Sequence, residues 1–338
     1  MVESPPREGA RSARRATRRA LWWGAACVVV LGVLAWLLAP PRTAGPRGTV
    51  VFATGVPTGV YEKYGKLLGD RLGADLPEVE LQLLHTEGSV QNLERVAAGD
   101  AAFTLAAADA VATYRHQRRP GAASLRACAR LYDDYMQLVV PADSPVRSAR
   151  DLGGLRVGVG EARSGVNLVA GRLLQAAGLG AEGDVTRVHA GIDRMPELLT
   201  KGELDAFFWS GGLPTEAVRR LAERTDIRLV QLGDLVGRLH ASTAQTRHYR
   251  AAVMPPDAYP GVQHGASIRT VAIANLLVTT ERNDARLTQD LTHAVLRHRD
   301  EIGREVHAAQ KVDLRTAIYT DPLPLHEGAR RYYRSVKP

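Results

Sequence analysis

At 338 residues and 45% hydrophobic content, the chain is long enough for two ordinary domains or one two-lobed protein. Its formal charge of +8 suggests nucleic acid until it is located, because residues 1–47 hold eight Arg against two Glu. The remainder carries 36 basic and 34 acidic residues with no basic helix face interleaved with aromatics, so nucleic acid is not an expected partner.

Residues 1–20 read as a basic cytoplasmic tail, and residues 21–39 as an uncharged 19-residue run. At about 1.5 Å per helical residue, that run spans close to the roughly 30 Å hydrocarbon core, so one transmembrane helix is expected. Arg11, Arg14, Arg15, Arg18 and Arg19 precede it, which keeps the N-terminus inside and sends the rest of the chain to the extracytoplasmic side. Trp22, Trp23 and Trp36 suit the two interfaces. Cleavage as a signal peptide is the competing reading. Leu37 three residues before a cut after Ala39, followed by Pro40 and Pro41, favours an uncleaved single-pass anchor in the cell membrane. Thr17 to Leu21 also resembles a twin-arginine export signal. Cys27 lies inside the run, leaving Cys128 as the exported part's sole cysteine, expected as a buried free thiol.

A Pro/Gly/Arg linker follows at 40–48, and the folded part begins at Thr49. Strand-like segments at 49–54, 79–84, 102–105, 137–140, 155–159, 206–209 and 227–231 alternate with helical patterns at 61–72, 90–98, 167–177, 194–199, 215–224 and 284–303. This alternation predicts an α/β fold with parallel sheets covered on both faces. Crossings between lobes are expected near 144–152 and within a long buried strand at 268–278, giving lobe I as 49–140 plus 270–338 and lobe II as 141–269. Ligands of such proteins bind between the lobes, at the C-terminal ends of strands.

Three glycine-containing loops open helices in positions suited to an anion, since a helix N-terminus offers free N–H groups and partial positive charge. Gly55, Thr58 and Gly59 precede the helix bearing Tyr61; Ser89, as expected cap, and Asn92 belong to the second; Ser164, Gly165 and Asn167 belong to the third. Gly178 suits the left-handed residue that ends this third helix. Arg163 could grip a carboxylate in a bidentate pair, though arginine on such a loop is more often solvated. Trp209 and Ser210 end a strand and suit one wall of a small-molecule site, whereas Phe207 and Phe208 read as core.

Catalytic and metal signatures do not occur: there is no G-x-S-x-G, no H-E-x-x-H, no phosphate-binding loop and no cysteine pair with zinc spacing. Gly158-Val-Gly160 lacks the third glycine of a dinucleotide fingerprint, so no cofactor is expected. The adjacent Asp133 and Asp134 read as solvated surface or a hinge turn.

On segments 53–61, 87–93, Ser164-Gly165, 202–206, 259–261 and 324–329, the chain resembles the TAXI family of solute receptors for tripartite (TRAP) transporters, over nearly all of 49–335. The resemblance implies a two-lobed type II periplasmic-binding-protein fold with a hinge. It also implies capture of a small anionic solute, such as glutamate, glutamine or another carboxylate, and its delivery to TRAP membrane subunits. The first loop would supply Gly55, Thr58, Gly59 and Tyr61, the second Ser89 and Asn92, the third Ser164, Gly165 and Asn167, with Trp209, Ser210 and Tyr259 closing the pocket. Glu87 departs from the pattern, and a carboxylate there could turn ligand choice towards a zwitterion. A receptor rather than an enzyme is therefore expected. The alternatives are an anchored sensing module, for which about 20 cytoplasmic residues are too few, and an enzyme using Glu87 or Asp109.

Overall fold

The computed structural model describes residues 46–336, so the expected transmembrane run at 21–39 lies outside the described residues. No described helix is long and apolar enough to cross a membrane.

Strand β1 (Gly48–Ala53) leads into helix α1 (Val60–Asp75), and β2 (Val79–Leu84) into α2 (Ser89–Ala98). After these come β3 (Phe103–Ala107), α3 (Ala108–His116) and a 17-residue strand β4 (Leu125–Pro141). The second part contains β5 (Arg156–Gly158), α4 (Gly165–Ala177), β6 (Thr186–Val188), β7 (Ala206–Gly211), β8 (Ile227–Val230) and β9 (Tyr249–Met254). The long β10 (Ile268–Thr280) returns the chain, and helices Ala285–Arg297, Arg299–Glu305 and Glu327–Ser335 follow.

These strands form one sheet in the order β2-β1-β3-β10-β4-β7-β5-β6, with β8 added to β4 and β9 to β10. The flanks are parallel, as the β-helix alternation predicts, but the middle is not. Strand β4 runs antiparallel to β10, β7 and β8, and β10 runs antiparallel to β3 and β9, so the sheet is mixed rather than parallel. Both long strands change neighbours along their length. Residues 125–135 of β4 pair with β10, whereas from Tyr135 onward its partners are β7 and β8. Residues 268–273 of β10 pair with β9, and 275–278 with β3. Register shifts between Ala274 and Leu276 and between Leu277 and Val278 bend this central ladder.

Helices cover both faces of the sheet. One apolar layer joins Phe52, Phe103 and Leu105 to Tyr64 and Leu68 of α1 and to Leu291 and Val295. The other joins Leu93 and Val96 of α2 and Val111 of α3 to a layer that continues through Leu173 of α4, Phe207 and Phe208. Cys128 is a buried free thiol in the first layer, and burial pushes its pKa well up. The expected helix at 284–303 is broken at His298, whose Nε2 lies 2.8 Å from Asp75 Oδ2 at the end of α1.

Candidate functional site

Parallel pairing of β1 with β2, in register from Gly48/Val79 to Ala53/Leu84, brings the loops after both strands to the same sheet edge. Helix α1 begins there after Gly59, α2 after Gly88 and α4 after Ser164. Ser164 caps α4 as expected, its Oγ accepting the Asn167 N–H at 3.0 Å, and Gly178 ends that helix at φ +90°. Ser89 is not the cap of α2. Gly88 takes that position, and Ser89 Oγ instead accepts the Ala107 N–H at 3.1 Å and lies 3.2 Å from Tyr61 Oη.

The N-termini of α2 and α4 meet closely. A Cβ on Gly165 would stand 2.9 Å from Ser89 Oγ, and one on Gly88 would stand 3.3 Å from Ser164 Cβ. Glycine at 165 is required by proximity, not by an unusual backbone angle. The Gln91 N–H donates to the Arg163 carbonyl across the same seam at 3.1 Å.

Between these loops and the central strands lies a cavity of about 60 Å³. Of the expected site residues, Gly55, Gly59, Tyr61, Ser89, Ser164, Gly165, Trp209 and Ser210 line it. The other five lie outside its lining. Thr58 is a turn residue at φ +70°. Asn92 is fully buried and holds the loops together, donating to the carbonyls of Thr54 and Leu105 (3.0 Å) and accepting from Thr86 Oγ1 (2.6 Å). Asn167 Nδ2 donates to the Ala162 carbonyl at 2.8 Å. Tyr259 Oη donates to Gln137 Oε1 at 2.8 Å and accepts the Thr215 N–H at 2.6 Å.

Arg163 is the fifth, and its guanidinium is already occupied. Nε and Nη2 donate to Glu87 Oε1 at 2.9 and 2.7 Å, the Arg163 backbone N–H donates to Glu87 Oε2 at 2.8 Å, and Nη1 lies 3.6 Å from Glu94. Partial desolvation of Glu87 is outweighed by these bonds, which hold its carboxyl below the usual range.

Four acids absent from the expected site residues also line the cavity, two of them buried. Asp109 opens α3 and is 1% exposed; its Oδ2 accepts from Tyr249 Oη at 2.7 Å and lies 3.4 Å from Arg172 Nη1. Asp134 sits within β4, 5% exposed, with Ser210 Oγ 3.4 Å from its Oδ2. It is neither solvated nor in a turn, because β4 extends well before the expected strand at 137–140. Burial raises its pKa to about 7, Asn275 and Ser210 oppose the rise, and the charges of Asp133 and Asp109 add to it. Asn275 opposes it only by proximity: its Nδ2 and Asp134 Oδ1 both lack a hydrogen bond of good geometry. Tyr61 Oη, bonded to Asn275 Oδ1, has its pKa raised by burial and by the Asp134 charge. Each buried acid had a sequence signal. Asp109 interrupts the apolar run 101–112, and Asp134 shares a strand face with the apolar Tyr132 and Met136.

The lining thus contains four carboxylates, those of Glu87, Asp109, Asp134 and Glu161, and no Lys, Arg or His. Among the described residues no group of three His, Cys, Asp or Glu side chains is placed to hold a metal ion.

The sequence profile described as the NMT1-like family matches residues 52–336, from β1 through the last helix. The chain belongs to the NMT1-like family. Among solved structures, a protein from Bordetella bronchiseptica RB50 superposes with a TM-score of 0.51 at 17% identity, covering 86% of this chain and 90% of that one. The periplasmic aliphatic sulphonate binding protein SsuA from Escherichia coli gives 0.48 at 12% identity, over 87% and 84% of the two chains. The first likeness extends the fold of this NMT1-like chain to a second protein.

Proposed function

We propose that the chain is an extracytoplasmic solute-binding receptor of a transport system, with a periplasmic-binding-protein-like fold. The observation that carries this reading is the cavity enclosed by loops from both flanks of the sheet, where three helix N-termini converge. Neither Gly59 nor Gly88 has a side-chain cap bond to offer its helix, so first-turn N–H groups of α1 and α2, other than that of Gln91, are available to a ligand. Residues 49–140 plus 270–338 form one lobe and 141–269 the other, with β4 and β10 as the hinge, since each pairs with different strands along its length. The small cavity and the loop-to-loop bonds correspond to the closed arrangement.

TRAP coupling rests on the TAXI resemblance, as does delivery to membrane subunits. The helix at 21–39 would tether the receptor, with the binding domain outside the cell membrane. A thermal-shift screen of the purified full-length chain against small solutes, followed by calorimetry, tests the reading. A solute at 100 times its dissociation constant should stabilise the folded chain by about 2.7 kcal/mol. If no solute shifts the transition of a folded preparation, the receptor reading fails.

A further inference from the structure

Resting on that receptor reading, we propose that Asp134 and Asp109 are specificity determinants that require the ligand to carry a positively charged nitrogen and no surplus negative charge. Among the carboxylate and amino-acid-like solutes expected from the sequence, this favours a small ammonium compound, zwitterionic or cationic, over a solute with net negative charge.

Three buried polar atoms on lining residues have no hydrogen bond of good geometry, Asp109 Oδ1, Asp134 Oδ1 and Trp209 Nε1, on residues 1%, 5% and 8% exposed, and a fourth, Nδ2 of the buried Asn275, stands close enough to Asp134 to lower its pKa without completing such a bond. Buried polar groups are normally satisfied, so these mark atoms that a ligand would complete. Two are carboxylate oxygens, and both ask for a donor. An ammonium group offers three N–H donors and the opposite charge, which suits a pair of acids sharing one site.

Nearby cations do not already fill this role. Arg163 lies outside the lining and is committed to Glu87, which lies within it. Arg172 approaches Asp109 only through Oδ2, and it also donates to Tyr249 Oη (2.8 Å) and Thr113 Oγ1 (2.6 Å). The His189 ring lies 3.2 Å from the Gly160 carbonyl. Asp134 has no salt-bridge partner among the described residues. A ligand with a net negative charge would therefore meet an acid that no cation pairs with, whereas the uncapped helix N-termini of α1 and α2 can still receive the single carboxylate of a zwitterion.

The test is a calorimetric titration series on the purified full-length chain with 4-aminobutyrate, glutamine, butylamine, glutamate, butyrate and succinate. At least one of the first three should bind tenfold or more tighter than every one of the last three, and Asp134→Asn should erase that preference while circular dichroism remains native. Butyrate, succinate or glutamate binding as tightly as the amines would overturn the inference and leave the receptor reading intact. Failure of this series together with the wider solute screen would overturn both. Should Asp134→Asn not fold, the ranking on the native chain decides alone.

Discussion

Glu87 and Arg163 close a bidentate ion pair between the loop after β2 and the loop before α4, 76 residues apart in sequence. One carboxylate oxygen takes two guanidinium donors and the other takes a backbone N–H, so the pair fixes both side chain and loop. In the receptor reading it latches the lobes. Arg163 is about half exposed, and such pairs are screened by solvent, so Arg163→Ala should lower unfolding stability only slightly. Its main effect should be kinetic, a several-fold faster ligand release in stopped-flow measurements. An unchanged release rate would remove the latch.

Asp134 gives a stability dependence with a defined sign. Its folded pKa is raised from 3.8 to about 7, so the native state binds more protons than the unfolded chain between those values, and stability falls as pH rises through that window. Burial sets most of the shift, and the facing groups that modify it are Asn275, Ser210, Asp133 and Asp109. Asp134→Asn removes the ionisation and should raise stability at pH 8 by up to roughly 4 kcal/mol, with little change at pH 4. Urea unfolding of both chains at the two pH values checks this. Equal stabilities at pH 8 would mean that water already reaches the carboxylate.

Close approach at Gly165 predicts a contrast with Gly178. Gly165→Ala would place a Cβ 2.9 Å from Ser89 Oγ and should weaken solute binding at least tenfold by forcing the α2 and α4 N-termini apart. Gly178→Ala meets no atom within 4 Å but sits at φ +90°, so it should cost about 1 kcal/mol of stability and leave binding unchanged. Melting curves and calorimetry on both variants separate the two effects.

Asn92 should act on stability through the loops it holds. Truncating it to Ala removes the amide donations to the Thr54 and Leu105 carbonyls, which keep only the hydroxyls of Thr86 (3.2 Å) and Thr104 (3.1 Å), and takes away the acceptor of Thr86 Oγ1, with a cost of about 1–3 kcal/mol in chemical denaturation. A loss below about 1 kcal/mol would indicate that water replaces the amide.

Much of the architecture was legible in local patterns. The glycine loops, the Ser164 cap, the Gly178 terminus and the buried Phe207 and Phe208 follow from short-range chemistry that residues carry with them. Strand direction was not, because β4 and β10 pair antiparallel through contacts far apart in sequence that no periodicity encodes. The same cause hid Asp134. Asp134 reads as a surface pair with Asp133 until β4 extends upstream to Leu125, after which alternation turns one acid into the cavity wall and leaves Asp133 to Arg130 and Arg250. Arg163 looked free since its partner Glu87 lies on a distant loop.

The decisive measurement is a crystal structure of the chain grown with its tightest-binding solute. Density enclosed by Ser89, Ser164, Trp209 and Asp134, with a ligand nitrogen within about 3 Å of Asp134 Oδ1, is the predicted result. Solute held elsewhere, for example in the surface cleft at Arg130, Arg247 and Arg250, with the cavity unchanged, would contradict it.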